Sequence, residues 1–402
     1  MRLVFWQNCL SPHQLPYIIE LANDDRVEAV DVVVGETISE SRLAMGWELP
    51  EEKDGKFFLQ GCNVHICPNE QEMVSLFEEC GRNSVHLFSG IRGFAFVYKC
   101  FCESLKYNIK RGIITERPNT FAFGLANGKP LWLHRLRFWL QDRKYIPYIH
   151  YVFAIGEECA DYYRSISNKW KVIPFAYCTS NPSCLQGSNM GGGNLRRKPF
   201  EAQERKTVDE SSRQKSKTNQ PPQIIYIGTM AWWKNVTSLL VADVDKSDIN
   251  IDLVGDGPQR LQLESLVEKL QLKDVHFLGY QKNSDIPAIM STHDVLVLPS
   301  IYDGWGAVVN EALMNGLFVI CSDKCGAKDM IRSIDLGLVF RGGSERELVK
   351  CLIYVKKNIN TIRQNRLLRK QWAEEHISGK AISKYMVDCL SGQNVTPPWR
   401  EE

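Results

Sequence analysis

The chain has 402 residues, a formal net charge of +2, and 44% hydrophobic against 24% charged residues. That length accommodates two ordinary domains with separate cores, the composition is globular rather than disordered, and the near-neutral balance gives an extended nucleic-acid surface no support. No apolar stretch is long enough to cross a bilayer, and Met1-Arg2 runs into Leu3-Val4-Phe5-Trp6, too short for an export segment, so a cytoplasmic location is expected.

An apolar run at 2–6 predicts a strand. Ser11, Pro12 and Gln14 predict a helix capped by Ser11, with Pro12 at its first position and Gln14 completing a capping box. Val30 to Val34 predicts a second strand. Apolar runs at 84–88, 112–115 and 151–155 then alternate with helical stretches near 70–80, 92–105 and 157–164. This alternation is that of a mostly parallel sheet with helices on both faces. Ser11 and His13 border the first strand-to-helix turn, while His86 and Glu116 follow apolar runs, so all four are expected near a ligand cleft. For Glu116, just past a strand and before Pro118, contact with an acceptor hydroxyl is the favoured role; His86 either touches substrate or satisfies a carbonyl within the domain. His13 is read as more structural than catalytic.

The stretch Leu131 to Lys144 mixes aromatic, aliphatic and basic residues. Two readings stand: a helix on an anionic membrane surface, or a core-facing helix with its basic residues on the wet side. The chain has 13 cysteines, an odd number scattered through core-like segments, and most are expected to be small buried hydrophobes in a reducing compartment. Cys62-x-x-His65-x-Cys67 is too tight for a zinc half-site, and neither it nor Cys100-x-Cys102 has a partner pair, so no metal is expected.

Between about 179 and 222 apolar periodicity disappears. The segment holds Gly191-Gly192-Gly193 and many charged and amide residues, and it ends at Pro221-Pro222. It divides a first domain, 1–178, from a second, 223–376, as a polar linker or loop at 179–222. A last segment, 377–402, is expected to pack back on the first domain.

The second domain restarts the pattern, with strands at 224–227, 249–254, 275–278, 295–298, 317–320 and 338–340. Helices are expected at 259–270, 284–291, 345–358 and 362–376. Glycines follow the strands: Gly228, Gly255, Gly257, Gly279, Gly304, Gly306 and Gly326. Ligands of open α/β sheets sit at the carboxyl ends of strands, so these turns should face one cleft. Gly255-Asp256-Gly257-Pro258 lacks the third glycine of a dinucleotide fingerprint; it reads as a plain strand-to-helix turn or as one letting a base or ribose approach the backbone. Lys234 follows the first of these strands, where an ammonium either neutralises a phosphate or is simply solvated.

The most informative run is Ser300 to Leu313. A helix opening at Trp305 or Gly306 would point free backbone N–H groups at an anion, and Glu311, about two turns on, could accept from hydroxyls of the same ligand. A diphosphate flanked by two polyols, a nucleotide sugar, has that layout. The Asp303/Glu311 pair does not suit a glycoside hydrolase, whose carboxylates must flank one glycosidic bond.

In this order, Gly228 to Lys234, Gly255-Asp256-Gly257-Pro258, Gly279 and Asp303 to Glu311 with Ala312-Leu313-Met314-Asn315-Gly316, the second domain resembles the donor half of the retaining family 4 glycosyltransferases. The first domain is similar more loosely, through 3–16, 85–92 and 112–118. The resemblance implies an α/β protein of GT-B fold, with two Rossmann-like doubly wound parallel-sheet domains facing a central cleft. It implies a nucleoside-diphosphate sugar as co-substrate, no cofactor, and a glycan or lipid-linked acceptor in bacterial surface polysaccharide synthesis. Peripheral contact with the inner membrane surface would accompany a lipid-linked acceptor. With the strand-end residues of the first domain added, the candidates are Lys234, Asp303, Glu311 and Glu116 for catalysis, and Ser11, His13 and His86 for the acceptor, although the resemblance leaves the acceptor side open. Gly228, Thr229, Gly257, Pro258, Gly304, Trp305, Gly306 and Ala307 would hold the donor. Three departures stand out. Asp303 replaces the usual glutamate, Thr229 replaces the arginine of many members, and no histidine stands where Glu116 sits. A catalytically inactive nucleotide-sugar-binding or scaffold protein of the same fold is the alternative they leave.

Overall fold

The structure is a computed structural model, and it describes residues 1–38, 40–43, 52–53, 56–57, 59–79, 83–118, 131–179, 220–244 and 248–400. The expected linker therefore lies, but for its ends, outside the described residues.

The first lobe is a parallel sheet of seven strands in the order β5-β2-β1-β6-β7-β8-β9. These are β1 (Arg2–Gln7), β2 (Ala29–Val34), β5 (Cys62–Ile66), β6 (Ser84–Ser89), β7 (Lys110–Glu116), β8 (Tyr151–Ile155) and β9 (Lys171–Phe175), while β3 (Glu52–Lys53) and β4 (Lys56–Phe57) pair only with each other. Successive residues of β1 serve opposite faces, as the period of a strand requires. Leu3 and Phe5 join one apolar cluster, Val4 and Trp6 another. The helices are α1 (Leu15–Leu21), α2 (Glu40–Leu43), α3 (Glu70–Glu79), α4 (Ala95–Ser104), α5 (Leu131–Gln141) and α6 (Glu157–Arg164).

The second lobe is a parallel sheet of six strands ordered β12-β11-β10-β13-β14-β15. These are β10 (Gln223–Ile227), β11 (Asn250–Val254), β12 (Val275–Gly279), β13 (Val295–Leu298), β14 (Phe318–Ser322) and β15 (Gly337–Phe340). Helices α7 (Val236–Val241), α8 (Arg260–Lys269), α9 (Ile286–Ser291) and α10 (Val308–Met314) cross between them, and α11 (Glu345–Gln364), α12 (Arg366–His376) and α13 (Gly379–Leu390) follow. Every residue of β13 and β14 is buried, which is why both read as unbroken apolar runs.

Each sheet reverses its strand order once, between β1 and β6 in the first lobe and between β10 and β13 in the second. Loops diverge at such a point and leave a crevice beyond the strand ends. Those four strand ends lead into residues 8–14, 90–94, 228–234 and 299–307.

One expectation about helices is corrected. The helix assigned to Ser11 begins at Leu15. Residues 12–14 form a turn in which the Gln14 and Leu15 amides donate to Ser11 O. The Gln14 side chain makes no box; its Oε1 accepts from Gln7 Nε2 at 2.5 Å, and Pro16 supplies the fixed φ of the first turn instead. The break expected after Asn358 is present as a kink, where Asn358 takes a non-helical φ of −115° and ψ of 16° inside α11. The helix that returns to the first lobe is α13, within the last segment. Gly379 has no side chain, and a Cβ there would fall 2.6 Å from Pro16 O of α1. Tyr385 donates to Pro174 O at 3.1 Å, Lys171 Nζ donates to Cys389 O at 2.8 Å, and Arg26 pairs with Asp388 at 2.5 Å.

Candidate active site

Lys234 ends a short 3-10 turn, Trp232–Lys234, beyond β10, and Asn235 beside it takes a left-handed φ of 52°. The Lys234 ammonium meets Asp303 Oδ2 at 2.5 Å, with both side chains largely buried. Their loops are stitched together, because Trp233 O accepts from the Ile301 amide at 2.8 Å and from that of Tyr302 at 3.3 Å. Asp303 is pinned on its other side, its N–H donating to Lys324 O and its carbonyl accepting from the Gly326 amide. A cavity of about 280 Å³ lies over these strand ends, lined among others by Gly228, Thr229, Lys234, Asp303, Gly306, Ala307 and Glu311. Glu311 sits in the first turn of the helix that Ala307 caps, and burial pushes its carboxyl up to about 7.

The helix does not open at Trp305 or Gly306. Ala307 is its N-cap and Val308 its first residue. Gly306 has φ +87°, and a Cβ there would lie 2.6 Å from Cys325 Sγ, so the chain can only turn into the helix one residue later. The amides of Gly306, Ala307 and Val308 precede the first helical bond, Val309 N to Gly306 O, and they lie at the cavity. Trp305 is not a donor contact. It is 3% exposed, and its Nε1 donates to Asn310 Oδ1 at 2.8 Å. Asn310 Nδ2 in turn donates to Tyr177 O of the first lobe at 2.9 Å. Gly257 and Pro258 are also corrected. Gly255 lines the cavity in their place, while Gly257 lets the Met230 backbone approach, with Met230 O 2.6 Å from where a Cβ would be.

A larger cavity, about 610 Å³, occupies the first lobe and is lined among others by Ser11, His13, Glu116, Arg137, Phe138 and Tyr177. His13 lines both cavities, and burial, aided by Arg42, lowers its pKa to about 4, which keeps the ring neutral near pH ~7. Glu116 reaches across the gap between lobes. Its Oε1 accepts from Tyr177 Oη at 3.0 Å, and its Oε2 lies 2.2 Å from where a Gly304 Cβ would stand. Desolvation raises its pKa, Asp303 adds to that rise, and the Tyr177 hydroxyl, Arg42 and Lys234 oppose it.

His86 lies outside both cavities. It is fully buried in β6, where its Nδ1 accepts from Trp6 Nε1 at 3.2 Å and its Nε2 meets Ser84 Oγ at 3.2 Å. Burial first, then Arg111, lowers its pKa to about 3. An imidazole held neutral beside the stacked rings of Trp6 and Phe77 is a core group.

Several lining residues escaped the sequence reading. Gly90 to Phe94 form one wall of the larger cavity, and two glycines just past an apolar run were the available signal. Tyr177 follows a strand that periodicity did not reveal, and Tyr280, Gln281 and Asn283 follow Gly279 at the smaller cavity.

The suspected metal motif is occupied otherwise: His65 bonds Asp31 at 3.1 Å, Cys62 Sγ donates to Ile18 O and Cys67 Sγ to Gly35 O. Among the described residues no group of three or more His, Cys, Asp or Glu side chains is placed to hold a metal ion, and no helix is long and apolar enough to cross a membrane.

Two facing doubly wound lobes, with a cation, two carboxylates and backbone amides over the strand ends of the second, form the GT-B fold. The glycosyl transferases group 1 family model matches residues 208–375, somewhat under half of the chain. A 2-deoxystreptamine glucosyltransferase of Streptomyces kanamyceticus is 29% identical over 174 residues, covering 41% of this chain and 45% of the relative. An uncharacterized 41.2 kDa protein in the cps region of Klebsiella pneumoniae is 28% identical over 305 residues, 66% of this chain and 75% of that one. The match thus spans less than half of the first relative and three quarters of the second. The crystal structure of Anabaena HepE in complex with UDP superposes with a TM-score of 0.65 at 13% identity, over 98% of this chain and all of that one.

Proposed function

We propose that the protein is a retaining glycosyltransferase that moves a sugar from a nucleoside-diphosphate sugar to a hydroxyl of a glycan or lipid-linked acceptor in surface polysaccharide synthesis. The observation that carries this reading is the meeting at one cavity of Lys234 and Asp303, from two loops, with Glu311, from the helix that follows the second of them. The UDP bound by the Anabaena neighbour and the cps location of the Klebsiella relative agree with it.

The diphosphate would lie against the amides of Gly306 to Val308, with Lys234 leaving Asp303 for the β-phosphate. Asp303, released, accepts from hydroxyls of the transferred sugar, and Glu311 accepts from the ribose. As the bond from anomeric carbon to phosphate oxygen breaks, its electron pair stays on that oxygen, where the ammonium and the amides stabilise the charge. The acceptor hydroxyl arrives from the Glu116 side, attacks the face that the phosphate leaves, and passes its proton to the departing phosphate oxygen. Configuration is thereby retained. The positive field comes from Lys234 and the backbone, and the nucleotide sugar is a co-substrate rather than a resident cofactor. Holding both reactants in one gap also excludes water that would hydrolyse the donor.

A thermal-shift screen against uridine, guanosine and adenosine diphosphate sugars is expected to give one clear stabilising donor. Nuclear magnetic resonance of the product should then show the donor's anomeric configuration. Nucleotide-sugar binding without transfer to any acceptor would support the inactive scaffold instead, and an inverted product would rule out retention.

A further inference from the structure

Helix α5 turns its apolar residues outward. Trp132, Leu136, Trp139 and Leu140 are 61%, 45%, 55% and 64% exposed. Their i, i+4, i+7, i+8 spacing places them on one face, an arc of roughly 100°. The opposite face is the one that packs. Phe138 meets Trp170 edge-on at 5.6 Å, and His134, Arg137 and Phe138 line the larger cavity. A helix that merely covers the core would have these faces exchanged. Single exposed apolar residues are ordinary, whereas four adjoining ones, two of them tryptophan, mark an interaction surface.

The charge around this stripe has one sign. Arg135 is exposed on its flank, Arg143 lies over the Trp139 ring at 4.2 Å, and Lys144 is exposed beside it. Asp142 is the only acidic residue between 131 and 150, and Arg92 holds its carboxylate at 2.5 Å. Indole rings flanked by cations suit the headgroup layer of an anionic bilayer, where rings sit at the interface and cations reach phosphates. A second copy of the chain fits poorly, since a two-fold contact would set like charges against each other.

We propose that α5 docks the protein on an anionic membrane surface, so that the larger cavity opens beside the headgroups and the acceptor is presented from the bilayer. Only the word acceptor rests on the transferase reading; the docking does not.

The test is co-sedimentation of the full chain with vesicles of phosphatidylcholine alone and of phosphatidylcholine mixed with phosphatidylglycerol. Binding is expected to the mixed vesicles only and should weaken at high salt. The double variant W132E/W139E should lose partitioning on the order of tenfold or more. R143E/K144E should lose a similar factor with the apolar stripe intact. Circular dichroism and melting temperature should stay at wild-type values in both, because all four side chains are at the surface. A wild-type chain that stays in the supernatant overturns the proposal. So does binding that ignores lipid charge, or self-association in sedimentation velocity that W132E/W139E abolishes. Vesicle binding in a protein that takes up no nucleotide sugar would uphold the docking and sink the transferase reading alone.

Discussion

The Nζ of Lys234 lies 2.5 Å from Oδ2 of Asp303, although 69 residues separate the two. Each residue belongs to a loop leaving one of the two strands at the switch point of the second sheet, so the fold itself brings them together. The pair holds a cation ready beside the amides of Gly306 and Ala307, where the leaving phosphate is assigned. Lys234→Ala should lower turnover by roughly 100- to 1000-fold, the usual cost of deleting a group that stabilises transition-state charge. Nucleotide affinity should fall less. A turnover number unchanged in steady-state assays would remove Lys234 from the mechanism.

Glu311 gives a pH signature of known sign. Burial raises its pKa to about 7, above the value it takes in the unfolded chain. Its favourable contribution is therefore fully present below the unfolded value and is lost as pH rises through about 7. Glu311→Gln should melt at the wild-type temperature near pH ~5 and above it near pH ~8. Donor binding should move the other way in wild type, tightening between about pH 6 and about pH 8 as the carboxylate forms, and stay flat in the variant. Calorimetric titration at the two ends of that range decides the point. Equal wild-type affinities would show that the carboxylate does not hold the donor.

Gly304 and Glu116 belong to different lobes and share one space. A methyl at Gly304 would overlap the Glu116 carboxylate, whose Oε2 is 2.2 Å away. Gly304→Ala is therefore expected to cut kcat strongly while leaving the melting temperature within a few degrees, because Glu116 can swing into the cleft. Combining it with Glu116→Ala should cause little further loss, the non-additivity expected of groups in contact. Fully additive losses in the double-mutant cycle would mean that the two do not meet.

His86 offers a contrast. Replacing it by leucine leaves Trp6 Nε1 buried without the acceptor it has at 3.2 Å, which should cost about 1–3 kcal/mol. Activity per folded molecule should not change. A raised acceptor KM, measured well below the melting temperature, would return His86 to the substrate.

How much of this was legible in the sequence follows burial. Strands β10, β11, β13 and β14 stand out as apolar runs because their sheet is covered on both faces, and their glycine turns marked the strand ends correctly. The edge strands β5 and β9 did not stand out. The first is half-exposed along its length and the second carries Pro174, which an edge tolerates and a central strand does not. Missing β9 also hid Tyr177. Trp305 was misplaced for another reason: glycines around a helix start announce close approach, but not whether a ligand or the protein approaches. At Gly304 and Gly306 the neighbours are Glu116 and Cys325. His86 shows the same ambiguity in a strand, where a polar residue amid apolar ones points to a cleft or to a private partner with equal force.

The backbone returns from the second lobe to the first at Ile377-Ser378, just before α13 settles on α1. Helix α13 therefore belongs with the opposite lobe from the helices that precede it. A label placed on its exposed Lys380 would report the position of the first lobe, although the chain there follows the second.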